Sequence, residues 1–279
     1  MNRVNFEKIA PGIGLLRTPF GQVWSGVYLV CGRQNLLIDS GADRTIVDDC
    51  ILPALESAGL RVSKIDWLLC THTHGDHVGG HHRLRELGVK CGVIASGVAK
   101  LRDPLDYSRR IRNEFPEYSP APPPVLQGVD PEWIFQDGDR IGRLRVIATP
   151  GHDSDCVCYL DEESGTLLSG DSLQWNGTTA QGCALYMDLP AYRKSIERLR
   201  RERIGNIVPG HDYIGGNSLD DALEFIRIYD TFIQSHRDLP MAEIAVRLIG
   251  EIGGTVPKYL FLPLYTVREH LKQCITPTT

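Results

Sequence analysis

Residues 68–77 read Leu68-Leu69-Cys70-Thr71-His72-Thr73-His74-Gly75-Asp76-His77. A short apolar run ends and, within six residues, three imidazoles and a carboxylate follow. The run, which begins at Ile65, predicts a buried strand. Imidazole and carboxylate are the borderline ligands that divalent zinc and its first-row neighbours favour. In an open α/β layer, ligand sites gather just beyond strand C-termini. Gly75 is expected to let the chain turn, so that the first two histidines and the Asp76-His77 pair address different points. One loop cannot close such a site, and further ligands have to come from elsewhere.

Three other positions share its context. His152 follows the apolar stretch 146–148 and Thr149-Pro150-Gly151, Asp171 follows Leu167-Leu168-Ser169-Gly170, and His211 follows Ile207-Val208-Pro209-Gly210. Each is a strand-like run ending in a glycine and then a ligand-type residue. The glycine permits close backbone approach while the side chain enters a shared cleft.

Around these points the chain alternates strand-like and helix-like segments. Residues 27–31 and 36–39 read as a hairpin, and residues 43–58 as a helix with Asp43 as N-cap and Gly59 as stop. A helix over 78–87 closed by Gly88 and a strand over 89–95 continue the rhythm. Residues 97–130 break it. They hold a charged helical piece at 107–115 and then Pro116, Pro120 and Pro122–Pro124, read as an insertion packed over one edge with a proline-stiffened return. Strands are expected at 143–148, 157–160, 166–169 and 206–208, with a helix over 191–203 before the last. After His211 the pattern is helical, at 219–237, 241–252 and 264–273. The boundary falls near Gly215-Gly216, giving a main domain over 1–215 and a helical extension over 216–279.

The 279 residues are enough for one domain with a sizeable core, and 42% apolar with 23% charged residues excludes wholesale disorder. No apolar run approaches the ~20 residues of a membrane span. A net charge of −5 argues against a protein built mainly to hold nucleic acid. Residues 1–7 lack the apolar core of a secretory signal, and the eight cysteines form no CxxC pair. The expectation is a cytoplasmic protein with reduced thiols acting on a small molecule, its oligomeric state left open.

HxHxDH at His72–His77, followed in order by His152, Asp171 and His211, resembles the metallo-β-lactamase superfamily, and Leu37-Ile38-Asp39-Ser40-Gly41 looks like that family's first motif. The resemblance covers roughly residues 10–215. It implies an α/β fold, the αββα sandwich, with the metal site along one edge between two sheets. By motif order it implies that His72, His74 and His152 bind one cation, that Asp76, His77 and His211 bind a second, and that Asp171 bridges both. Asp76 and Asp39 would be the catalytic carboxylates, Asp39 by fixing ligand or loop geometry. Zinc is the first expectation for the two divalent cations, with iron or manganese compatible with the same ligand types. Two such cations, two carboxylates and a bridging hydroxide sum formally to about +1. A centre of this kind makes water nucleophilic near neutral pH.

An aspartate at 171 in place of cysteine is similar to the glyoxalase II, lactonase and nuclease-like branches. The preferred reading is hydrolysis of a thioester or activated ester, because a thiolate with a pKa near ~8.5 departs readily. The helical tail and Gly151-His152-Asp153-Ser154-Asp155 look similar to the thioesterase branch of alkylquinolone signalling, whereas the basic C-terminal residues that grip glutathione have no clear match. The insertion and the tail could together roof a channel for a long acyl group. An acyl-homoserine-type lactonase is the first alternative. That branch uses a tyrosine soon after the bridging aspartate, but position 174 is Gln, which leaves Tyr186 as the substrate-binding candidate and Trp175 as an ambiguous neighbour. A phosphodiesterase or endoribonuclease is the second alternative, and a metal-stabilised binding protein the non-enzymatic one. Gly170-Asp171-Ser172-Leu173 also spells the signature of a serine-hydrolase family, but it lies past mid-chain where the metal scheme needs its aspartate. His81, His82, His236 and His270 read as packed or solvated, Cys156 and Cys158 as core, and Arg198–Arg203 as a solvated face.

Overall fold

The computed structural model describes residues 4–121 and 125–275, so Pro122–Pro124 of the expected proline return lie outside the described residues. Two five-stranded sheets form the centre. The first has the order β1 (Glu7–Ala10), β2 (Ile13–Phe20), β3 (Val23–Val30), β4 (Leu36–Ile38) and β5 (Trp67–Leu69). A short parallel pair, β6 (Gly92–Ile94) and β7 (Trp133–Phe135), continues from it through a single bridge between Leu68 and Cys91. The second sheet runs β12 (Asn206–Pro209), β11 (Thr166–Gly170), β10 (Val157–Asp161), β9 (Leu144–Ala148) and β8 (Arg140–Ile141).

The inner strands β3 to β5 and β9 to β11 are largely buried on both faces, which is why they read as continuous apolar runs. Ile13, Leu15, Tyr28, Val30, Ile38 and Leu69 face Val146, Val157, Tyr159, Leu168 and Val208 across the space between the sheets. The alternate residues, among them Leu16, Val27, Leu29, Leu37 and Leu68, pack under the helical stretch 44–57 and the helix His81–Glu86. On the other side Ile147, Cys158, Leu160 and Leu167 pack under the helices Leu189–Leu199, Leu219–Ser235, Met241–Glu251 and Phe261–Ile275. The layers are therefore helix, sheet, sheet, helix, as the motifs implied. The tail helices share the core of the second sheet.

Several expected elements differ in detail. β1, β2, β7 and β8 are not signalled by the sequence pattern, because Gly14, Arg17, Thr18 and Pro19 interrupt the apolar run of β2, and the others are only two to four residues long. The helix over 43–58 is capped as expected, with the Asp43 carboxylate accepting from Ile46 N at 3.1 Å, but Val47–Ile51 winds as a π turn. The helix expected over 78–87 is two pieces, Gly75–Val78 and His81–Glu86. The insertion forms the helices Val98–Arg102 and Asp106–Glu114 and lies over the loop end of the sandwich as well as its flank. Ile111 and Phe115 meet Tyr265 there, because the insertion's apolar face needs the tail to cover it.

β4 and β5 are parallel, as are β11 and β12, while β9 and β11 flank β10 antiparallel to it. The chain therefore leaves β4, β5, β9, β11 and β12 at one end of the sandwich. Val157 N donates to Thr71 O at 2.8 Å and Tyr159 Oη to Cys70 O at 2.7 Å, locking the two sheets together at that end.

Candidate metal centre

The loop after β5 carries His72, His74, Asp76 and His77, the loops after β9, β11 and β12 carry His152, Asp171 and His211, and Asp39 follows β4. All eight are at least partly buried and all but Asp76 are fully so. Three groups have one ligand atom per residue within 4.8 Å of one another: His72, His74 and His152; His72, His77 and Asp171; Asp76, His77 and His211. His152 Nε2 is 3.1 Å from His74 Nδ1, and His211 Nε2 is 3.1 Å from Asp76 Oδ2. Asp171 stands between, its Oδ2 3.5 Å from His152 Nε2 and 3.4 Å from His211 Nε2. The structure thus brings the seven expected ligands into one cluster.

Gly210 makes this approach possible. A Cβ there would lie 2.5 Å from Asp171 Oδ1 and 3.1 Å from His77 Cε1. Gly75 has a different reason from the one expected. It opens a helix without left-handed backbone, and a Cβ on it would meet Leu126 of the insertion at 2.7 Å.

Each imidazole is oriented from behind. Asp39 Oδ2 is 2.9 Å from His77 Nδ1, Trp24 O is 2.5 Å from His211 Nδ1, and Asp153 Oδ2 is 3.2 Å from His74 Nε2. Thr71 Oγ1, which donates to Asp39, is 3.2 Å from His72 Nδ1. His152 Nδ1 lies 3.2 Å from Leu185 O and 2.8 Å from the Gln174 side-chain amide. For His72, His74, His77 and His211 an acceptor on the rear nitrogen holds the proton there and leaves a lone pair on the nitrogen facing the cluster, as metal ligation requires. His72 Nε2 and Asp171 Oδ1 are buried with no hydrogen-bond partner. Buried polar atoms without partners are costly, and here they point at one another's space, as a donor set shaped for cations does.

The electrostatics are those of a site with carboxylate charge in excess on one side. Burial and the neighbouring His77 and His74 hold the His72 imidazole well below its usual range, and burial with His74 pulls His152 down to about 4. For His211, burial is outweighed by Asp171 and Asp76, which push it up to about 10. Burial likewise favours protonation of Asp76 and Asp171, but His77 and His211 overcome it, so both carboxyls sit well below the carboxylate range.

Asp39 does not face the cleft. Its carboxylate accepts from Thr71 N at 2.7 Å, Thr71 Oγ1 at 2.8 Å and the His77 ring, and it is wholly buried behind His77. Tyr186 is not at the site. Its ring is 1% exposed and packs 4.5 Å from Tyr192 and near Tyr229 and His270, because its loop turns the side chain into the core under the tail helices. Ser172 Oγ pairs with Thr149 Oγ1 at 2.7 Å. Trp175 has left-handed backbone (φ 44°) and donates its indole N–H to Ser218 O at 2.8 Å. His81 is packed, with Nδ1 2.7 Å from Ser40 Oγ, and Arg198 pairs with Asp137 at 2.8 Å.

Other residues join the site without a motif to mark them. Tyr107 of the insertion stacks on His74, with ring centroids 3.8 Å apart and an interplanar angle of 28°. Tyr213 meets His211 edge-on at 5.6 Å, and its buried hydroxyl has no hydrogen-bond partner of good geometry. Burial, then the charge of Asp171, raises its pKa well above the ordinary phenol value. Adjacency is the available signal for two of them, Asp153 following His152 and Tyr213 lying two residues past His211.

Comparison with known proteins agrees with this geometry. The family model described as "Metallo-beta-lactamase superfamily" matches residues 19–211. The beta-lactamase-like protein 2 homolog of Drosophila melanogaster is 31% identical over 199 residues, 71% of this chain and 60% of that protein. The Caenorhabditis elegans homolog of the same name is 26% identical over 73% of this chain and 62% of its own length. The chain thus spans about three fifths of these relatives. Among solved structures, a metallo-beta-lactamase family protein of Thermus thermophilus superposes with a TM-score of 0.73 at 22% identity, covering 95% of each chain. Another, solved in a di-iron-bound form, gives 0.52 at 24% identity over 75% of this chain and 98% of its own. No helix among the described residues is long and apolar enough to cross a membrane. With a match over more than half its length and the histidine–aspartate cluster in place, the chain belongs to the metallo-beta-lactamase superfamily, whose members are generally hydrolytic metalloenzymes.

Proposed function

We propose that this chain is a hydrolase with two divalent cations that cleaves a thioester or activated ester of a small molecule. The observation that carries the proposal is the convergence of seven ligand side chains, with an acceptor behind the rings of His74, His77 and His211. His72, His74 and His152 would hold one cation, Asp76, His77 and His211 the other, with Asp171 between them. Two such cations would supply a bound water of pKa near ~7 and would polarise a carbonyl oxygen. Zinc is the first expectation. The di-iron form of one structural neighbour keeps iron in view, and manganese accepts the same ligands.

The chain's own residues then shape the reaction. Asp76, whose side chain is 15% exposed against 5% for Asp171, is the ligand carboxylate nearest the opening. Tyr107 of the insertion stacks on His74 and belongs to a buried apolar cluster with Ile111, Leu185 and Tyr265, which ties the insertion, the 174–190 loop and the tail together. A thiolate leaving group needs little proton donation. In this reading residues 1–215 carry the hydrolase and the helices beyond 216 help to form the roof.

Lactone hydrolysis is the second reading, and Tyr213 favours it. A phenol stands next to the central aspartate, reached from the loop after β12 instead of from position 174. The test is metal analysis followed by turnover of metal-replete protein on acyl-CoA, acyl-glutathione, homoserine lactone and bis-p-nitrophenyl phosphate. About two ions per chain and preference for a thioester are expected. Fewer than two ions overturns the binuclear scheme, and preference for the phosphodiester overturns the substrate class.

A further inference from the structure

We propose that Lys100 is a positioning residue for the first cation, acting through Asp153 on His74, and that the 97–130 insertion is thereby part of the metal centre. This rests on the binuclear reading above. Lys100 lies on the helix Val98–Arg102, and its side chain is only 17% exposed. Its ammonium bonds Asp153 Oδ1, Asp155 Oδ1 at 2.9 Å and Ser154 Oγ at 2.9 Å. The two acids reach successive residues of the ligand loop. Asp153 Oδ2 faces His74 Nε2 at 3.2 Å, and Asp155 Oδ2 accepts from Thr73 N at 3.0 Å and Thr73 Oγ1 at 2.8 Å.

Two carboxylates two residues apart and almost fully buried repel each other, and a cation placed between them offsets that repulsion. Lys100 is that cation, and by bonding both it keeps them aimed at the loop. Arg110 Nη2 also approaches Asp153, at 3.7 Å, but it is 45% exposed and is bonded through Nε to Asp106 at 3.1 Å. On its face, the His74 ring carries Tyr107 from the same insertion. His77 is backed in the same manner by Asp39, yet that carboxylate is satisfied by Thr71 within the core sandwich. The insertion therefore governs one cation group and leaves the other alone.

Stepwise zinc affinities measured against a chromophoric chelator, with the visible spectrum of the cobalt-substituted protein, test this on the full chain. Lys100→Met and Asp153→Asn should each weaken one of the two sites by about tenfold to a hundredfold, the range for groups that orient a metal-ligating histidine, and alter the cobalt bands. The double variant should lose less than the two single losses added together, because Lys100 acts on His74 through Asp153. Wild-type affinities in Lys100→Met, or losses that simply add in the double variant, overturn the proposal. If Lys100→Met does not fold, unchanged affinity in Asp153→Asn overturns it. A wild-type protein that takes fewer than two ions removes the binuclear reading itself, whereas two ions in wild type and identical behaviour in the variants remove only the role of Lys100.

Discussion

Asp39 and His77 form a wholly buried carboxylate–imidazole pair, Oδ2 to Nδ1 2.9 Å, built from a residue whose backbone is left-handed at φ 63°. That conformation is uncommon outside glycine, though aspartate tolerates it better than most residues. It turns the carboxylate back from the end of β4 so that it takes three donors at once: Thr71 N, Thr71 Oγ1 and the His77 ring. An asparagine offers one acceptor oxygen where the carboxylate offers two. Asp39→Asn is expected to weaken binding at the Asp76, His77 and His211 group by roughly tenfold to a hundredfold while the fold persists. Metal content after gel filtration and zinc affinity measure it. Full retention of two ions at wild-type affinity rejects the role.

Tyr213 gives a separate test of the chemistry. Its hydroxyl is buried near Asp171 without a well-formed hydrogen bond, so a substrate oxygen carrying developing charge is a partner it lacks at rest. Tyr213→Phe is expected to lower kcat by about tenfold or more, consistent with the ~1.5–3 kcal/mol of a hydrogen bond to a charged group. Metal content should not change. Equal kcat for wild type and variant on both thioester and lactone substrates takes Tyr213 out of the reaction.

A serine nucleophile and a metal-activated water make opposite predictions at positions 172 and 74. Ser172 Oγ is engaged with Thr149 Oγ1 at 2.7 Å, and the nearby polar partner is another hydroxyl, not an imidazole. Ser172→Ala should keep turnover close to wild type and lower stability by ~1 kcal/mol for the lost hydrogen bond. His74→Ala should lose both metal and turnover. Turnover abolished in Ser172→Ala with metal still bound contradicts the metal mechanism.

The parts of this site that are legible in the sequence are those coded by local pattern. Buried strands ending in glycine and a ligand-type residue mark where the ligand loops leave one end of the sandwich, and the order of those ligands carries the family resemblance. What is not legible depends on distance in the chain. Tyr107 reaches His74 across 33 residues and Lys100 reaches Asp153 across 53, through an insertion whose helices show only a charged surface pattern. Proximity to Asp171 in sequence points Tyr186 towards the site, but a loop of that length turns either way, and the apolar demand of the tail helices draws the ring inward. β2 is hidden for a similar reason: Gly14 and Pro19 weaken its local signal, and eight register pairs with β3 override it.

Away from the site, Arg143 joins the two sheets. Its Nε and Nη2 hold Asp161 Oδ1 and Oδ2 at 2.9 and 2.7 Å, and its Nη1 donates to Pro11 O at 2.9 Å, in the turn between β1 and β2. Burial alone raises the pKa of the Asp161 carboxyl, but Arg143 and Ser164 outweigh it and hold it below the usual value. A carboxyl depressed in the folded state contributes stability that is fully present above its unfolded pKa of ~3.9 and is lost as pH falls through the folded value. Asp161→Asn should therefore lower the urea midpoint at pH 7 by an amount equivalent to ~1–3 kcal/mol, the scale of lost charged hydrogen bonds. Below pH ~3.9 the gap between wild type and variant should narrow. Acid would strip any bound metal from both proteins alike, and taking the difference between them cancels that loss. A gap that stays constant from pH 7 down into this acid range shows that the pair does not stabilise the fold through its charge.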